Sequence, residues 1–106
     1  MVALEPGMIL SNEPGYYREG HYGIRIENLL VVREAESVEG GKTPMLAFET
    51  LTLAPIDTRL IELSLLSDEE ICWLDSYHAR VRTEISPSLA GAEQAWLAAA
   101  TAPLRR

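Results

Sequence analysis

The chain has 106 residues, 47% of them hydrophobic, and a formal net charge of −7 at neutral pH. That length allows at most one ordinary domain with a modest core. The acidic balance excludes the basic footprint of a nucleic-acid-binding protein and any polybasic membrane signal.

No apolar run approaches the length of a membrane span. The first residues, MVALEPGM, lack the basic start and apolar block of a signal peptide. Cys72 is the only cysteine, so an intrachain disulfide is impossible and a reducing, cytoplasmic compartment is the expectation.

Met8 to Glu13 (MILSNE) reads as a short strand ending at the turn dipeptide Pro14-Gly15. No helix or start signal precedes it, as though the chain began inside a larger fold. YYREGHY follows as a loop with Gly20 near its tip. Gly23 to Arg33 (GIRIENLLVVR) reads as one longer strand. Ile24, Ile26, Leu30 and Val32 share one face, and Arg25, Glu27, Leu29 and Val31 the other. Residues 35–43 read as a glycine-containing loop, and Pro44 to Ala54 as a third strand.

The second half changes character. Ser67 to Glu70 has the form of a capping box opening a helix over Asp68–Ile85, with Ile71, Leu74, His78, Val81 and Ile85 in one stripe. Ser86-Pro87 stops it, and a second helix carrying Trp96 spans Ala92–Ala100. The expected fold class is therefore α+β, a small antiparallel sheet followed by two helices.

The candidate site lies in the first strands. With Gly20 near the tip, Glu13 and Glu27 stand symmetrically about it and become cross-strand neighbours. Directly opposed like charges are unfavourable. Either the two acids point into water or a cation sits between them, and oxygen-only ligation suits manganese, magnesium or calcium. Glu27 shares a face with Leu29 and Val31 in a strand apolar on both sides, which predicts burial and requires a partner, either Arg25 or a metal.

Other candidates read as structural. Glu49 is expected to be a buried structural acid or one supporting the ligands, in preference to a direct ligand. His21 is placed in the hairpin loop, His78 in the helix core, and Trp73 and Trp96 as packing anchors. Cys72 has no partner at zinc-site spacing, and Gly40-Gly41 lacks the context of a phosphate loop.

GMILSNEPGYY followed by GIRIENLLVV closely resembles the C-terminal part of the aminopeptidase P catalytic domain, a manganese-dependent, Xaa-Pro-specific pita-bread fold. FETLTLAPIDTRLIE and DEEICWLDSYH are similar to the C-terminal extension of the longer members. The resemblance implies that 1–63 belongs to the catalytic domain and 64–106 to the helical extension, making the chain a C-terminal fragment. It implies Glu13 as ligand of one Mn2+ and as a group that relays a proton, and Glu27 as ligand bridging two. Arg25 orients acids or substrate, and Tyr17 stands near the metals.

Two aspartates and a histidine of the family's site precede EPG and have no counterpart here. The resemblance thus implies two of five ligands, an inactive isolated chain, and the missing N-terminal part as partner. The whole enzyme would remove the residue before proline from peptides with proline second, and would pair as a homodimer through the C-terminal helices. The rival readings are a non-catalytic dimerisation or interaction module, resting on Trp73, Tyr77, Val81 and Trp96, and a metal-free pita-bread relative.

Overall fold

A computed structural model describes residues 2–36, 39–41 and 43–105. The chain divides into two compact units, Met1–Thr52 and Leu53–Arg106.

The first unit is all strand: β1 (Ile9–Asn12), β2 (Gly15–Arg18), β3 (Tyr22–Arg25), β4 (Asn28–Glu34) and β5 (Leu46–Thr50). β4 is the centre of a three-stranded antiparallel sheet in the order β1-β4-β5, while β2 and β3 pair with each other. The turn between β2 and β3 is closed by the His21 N–H donating to the Arg18 carbonyl at 3.0 Å. Gly20 has φ +73° there, at the position where a type II turn needs a residue tolerant of positive φ.

Two sequence expectations need correction here. YYREGHY is mostly strand, because β2 runs to Arg18 and leaves only three residues in the loop. The single strand read over Gly23–Arg33 is broken at Ile26-Glu27. Pro14 explains the break. Ile26 N–H donates to the Pro14 carbonyl at 3.2 Å, but proline has no N–H to return the bond, so the ladder lapses for two residues on each strand.

The expected burial of Glu27 and Glu49 also fails, for both are exposed. Among its described residues the first unit contains no helix, so none of them forms a helical layer over either face of the sheet. Val32, 1% exposed, is its only buried hydrophobic residue among those described, whereas Ile9, Ile24, Ile26, Leu29 and Phe48 are exposed. Of the loop read over 35–43, Ser37, Val38 and Lys42 lie outside the described residues. Across it, Ala35 N–H donates to the Met45 carbonyl.

The second unit holds α1 (Asp68–Ile85) and α2 (Ala92–Ala100), with the boundaries the sequence predicts. Ser67 and Glu70 form the reciprocal capping box. Its core is Leu74, Tyr77, Val81 and Leu97, with Leu53, Ile56, Ile61, Ile85, Leu89 and Leu104 packed around them. Two side chains of α1 hold the extended segment that precedes it. The Tyr77 hydroxyl donates to the Ala54 carbonyl at 3.0 Å and accepts from the Ala54 N–H. His78, fully buried, accepts the Ile56 N–H at Nε2 over 3.0 Å. Arg82 donates to the carbonyl and hydroxyl of Thr101 at the end of α2, where it satisfies a terminal acceptor.

Trp73 and Trp96 are not buried anchors: they are 53% and 62% exposed. Trp73 instead stacks on Tyr77, with ring centroids 5.5 Å apart and planes 6° from parallel. Among the described residues no helix is long and apolar enough to cross a membrane.

His78 makes the fold pH-sensitive. Burial pushes its pKa down, with Arg82 assisting and Asp75 opposing. Protonation also removes the lone pair that accepts the Ile56 N–H. The folded state therefore binds fewer protons than the unfolded state, so stability is full above the ordinary histidine pKa of about 6.5 and falls as the pH drops below it. We expect denaturant midpoints to decline from pH 7 to pH 5, and His78→Gln to flatten that decline. An equal slope in the variant would assign the effect to the carboxylates.

Candidate metal-binding hairpin

The register assembles the site. Asn12 pairs with Asn28 in one ladder and Gly15 with Arg25 in the other. One step inward from the first pair, or two steps outward from the second, sets Glu13 opposite Glu27. The Pro14–Ile26 hydrogen bond lies next to them, so Glu13 and Glu27 form a non-hydrogen-bonded pair, the kind whose side chains stand closer.

Alternation then fixes one face of the hairpin. Glu13, Gly15 and Tyr17 on one strand and Gly23, Arg25 and Glu27 on the other point the same way. Arg25 Nε forms an ion pair with Glu27 Oε2 at 3.2 Å, and the Tyr17 hydroxyl lies over Gly15, directly opposite Arg25. The Tyr17 bond first, the Glu27 charge next and the Glu13 charge least hold Arg25 more firmly protonated than an ordinary arginine. The opposite face carries Tyr16 and Tyr22, whose rings lie 6.1 Å apart.

All four side chains named from the sequence, Glu13, Tyr17, Arg25 and Glu27, are thus on one exposed face. His21 is in the turn, away from the acids along the strands, and Glu49 lies on β5 opposite Val31. His78 belongs to the second unit and Cys72 is an exposed free thiol. Sequence reading passed over Gly15 and Gly23, on which the Tyr17 ring rests. Glycine inside a strand was the available signal, since it often marks a close approach.

The donor set fits a hard cation in part. Two carboxylates stand opposite each other on one face, and oxygen donors suit manganese, magnesium or calcium. Among the described residues no group of three or more His, Cys, Asp or Glu gathers to hold a metal. At the roughly 5 Å of a directly opposed pair, two unit charges in water-like dielectric repel by about 1 kcal/mol. Arg25 offsets this at Glu27 but not fully at Glu13.

Two family models match the chain, with bounds that differ from those of the two compact units. Residues 1–34 match the model of metallopeptidase family M24, and residues 44–104 match the C-terminal region of peptidase M24. Aminopeptidase P2 of Arabidopsis thaliana is 53% identical over the whole chain, and aminopeptidase P1 of Lotus japonicus is 46% identical over 97% of it. The chain spans only 15% and 16% of those two proteins. The crystal structure of X-prolyl aminopeptidase from Caenorhabditis elegans, described as a cytosolic enzyme with a di-nuclear active site, superposes with TM-score 0.80. That match is at 41% identity and covers 95% of this chain and 17% of the other.

In the metal-free state Glu13→Gln is expected to stabilise the hairpin by less than about 1 kcal/mol at low salt, the scale of one opposed like-charge pair. Glu27→Gln is expected to gain less, because it also gives up the Arg25 contact. Thermal melts in EDTA at two ionic strengths check this, and the Glu13→Gln gain should shrink in high salt.

Proposed function

The chain belongs to metallopeptidase family M24, whose C-terminal region it carries, and on that premise we propose that it supplies part of a two-metal Xaa-Pro aminopeptidase site. The small antiparallel sheet followed by two helices is the C-terminal part of the pita-bread fold. The observation that carries the functional reading is the register that sets Glu13 opposite Glu27 with Arg25 and Tyr17 on the same face.

Glu13 and Glu27 would hold the metals, and manganese is the proposed ion. Divalent metals in such a pair lower the pKa of bound water and polarise a carbonyl. The chain's own residues do the rest. Glu13, with no cation bonded to it in the hairpin, serves as the carboxylate that takes up and passes on a proton. Arg25 occupies one oxygen of Glu27 and so fixes the orientation of that carboxylate. Tyr17, whose hydroxyl lies over the glycine opposite Arg25, helps to hold the Arg25 charge.

The substrate class is a peptide with proline in second position, cut before the proline. Two carboxylates do not close a two-metal site, so the chain by itself is inactive and its partner is the N-terminal part of the same protein. The cytoplasm is the proposed compartment, in line with the single free cysteine and the cytosolic relative.

Calorimetric titration of Mn2+ into the chain tests this. Weak binding, reduced by both Glu13→Gln and Glu27→Gln, is the expected result. Binding that neither substitution changes would overturn the assignment of the two acids.

A second reading has its own support. Trp73 and Trp96 expose more than half of their surface on α1 and α2, which suits a homodimer contact through the helical extension. Double substitution Trp73→Ala and Trp96→Ala should lower the mass seen by light scattering. A mass that stays the same would remove the two tryptophans from any dimer contact.

A further inference from the structure

Gly15 and Gly23 sit inside β2 and β3, and neither has the positive φ that would by itself call for glycine. Their reason is a neighbour. A Cβ on Gly23 would lie 2.7 Å from Cδ1 and 3.1 Å from Cε1 of Tyr17, and the next atom, the Tyr16 carbonyl oxygen, is 3.9 Å away. A Cβ on Gly15 would lie 2.7 Å from the Tyr17 hydroxyl, 3.0 Å from its Cζ and 2.9 Å from the Ile24 carbonyl oxygen. The Tyr17 ring therefore lies flat over the bare backbone of both glycines, near edge on Gly23 and hydroxyl end on Gly15.

The pairing makes this arrangement purposeful. Tyr17 is directly opposite Gly23, and Gly15 is directly opposite Arg25. An aromatic ring laid across a facing glycine is a known way to restore what that residue lacks in a sheet. Here it also carries the hydroxyl along the strand to Gly15, directly opposite Arg25, where it helps to hold the Arg25 charge while Arg25 Nε pairs with Glu27.

We propose that Gly23 is a positioning residue: its missing side chain seats the Tyr17 ring, and the seated ring holds Arg25 against Glu27. Gly15 shares the seat, but the Ile24 carbonyl also crowds it, so Gly23 is the cleaner probe. A Cβ there meets only the ring, and tilting the ring lifts the hydroxyl away from Arg25. The consequence for metal affinity rests on the reading of Glu13 and Glu27 as ligands. The seat itself does not.

The test is a double-mutant cycle over Gly23→Ala and Tyr17→Leu, with Tyr17→Phe beside it. The first readout is the NMR signal of the Arg25 Nε–H together with the ring-current shift of the Gly23 Hα. Gly23→Ala and Tyr17→Leu should each abolish the slowed exchange of the Arg25 Nε–H. Tyr17→Phe should lose that protection yet keep the Gly23 Hα shift.

The second readout is Mn2+ affinity, which each single change should lower about tenfold or more, the double change costing no more than either single. In the Tyr17→Leu background, Gly23→Ala should raise thermal stability, because alanine suits a strand better than glycine once the ring is gone. That reversal guards against simple misfolding of the single variant.

An unchanged Arg25 signal in Gly23→Ala, or losses that add in the double variant, would overturn the seat. Absence of Mn2+ binding in the unaltered chain would overturn the metal reading, and the Arg25 signal would still decide the seat.

Discussion

The first unit depends on one constraint, the register of the β1–β4 hairpin. Gly20 accepts the positive φ of the turn, and every pair outward from it is then fixed. Side chains alternate with period two, so a slip of one residue would send Glu27 to the face of Ile24 and Ile26 and leave Glu13 without its counterpart. Pro14 interrupts the ladder without shifting it: the pairs on both sides of the gap keep the same register. The interruption removes one ladder hydrogen bond beside the facing carboxylates, the one a proline N–H cannot make, and the flanking ladders keep the strands aligned.

Electrostatics then decide what such a face favours. Two carboxylates and one guanidinium leave it with one net negative charge, on a chain that carries −7 overall. Arg25 is committed to Glu27 and Tyr17, so it orients more than it neutralises. A hydrated divalent cation is attracted to the remaining charge, whereas a second arginine reaching in would compete for the same oxygens. The four side chains thus divide between two that offer oxygens and two that hold one of those oxygens still.

Much of this was legible in the sequence, for identifiable reasons. The symmetry of Glu13 and Glu27 about Gly20 needs only the period of a strand and the tolerance of glycine, both local properties. The helices were legible because Ser67 and Glu70 mark one start and Ser86-Pro87 one stop. The extent of β2 was not, because Tyr16 and Tyr17 beside two glycines look like turn chemistry. Their strand character is accompanied by a ring lying on the facing Gly23 and on Gly15 of its own strand, and the contact with Gly23, six residues away, is one that composition does not reveal. His78 was placed correctly in the core, yet its bond to the Ile56 N–H depends on a segment more than twenty residues away.

The wrong expectation about Glu27 is informative about the site's strength. Apolar residues on both faces of β3 and β4 predict a covered sheet, and among the described residues of the first unit no helix provides the cover. Geometry and strength therefore separate. The hairpin, through its turn, its proline and its two bare glycines, places four side chains without burying them. At water-like dielectric, charges 4 Å apart interact with about 1 kcal/mol, and at the effective dielectric of a protein boundary with about 4 kcal/mol. A cation offered to the acidic face would meet an attraction several-fold stronger in energy once that face, which also carries Leu29 and Val31, is covered. Covering the sheet would also raise the cost of leaving Glu13 and Glu27 unpaired. The apolar pattern that misled the reading of burial is thus the feature through which covering the hairpin would make a cation bound between its acids matter to its stability.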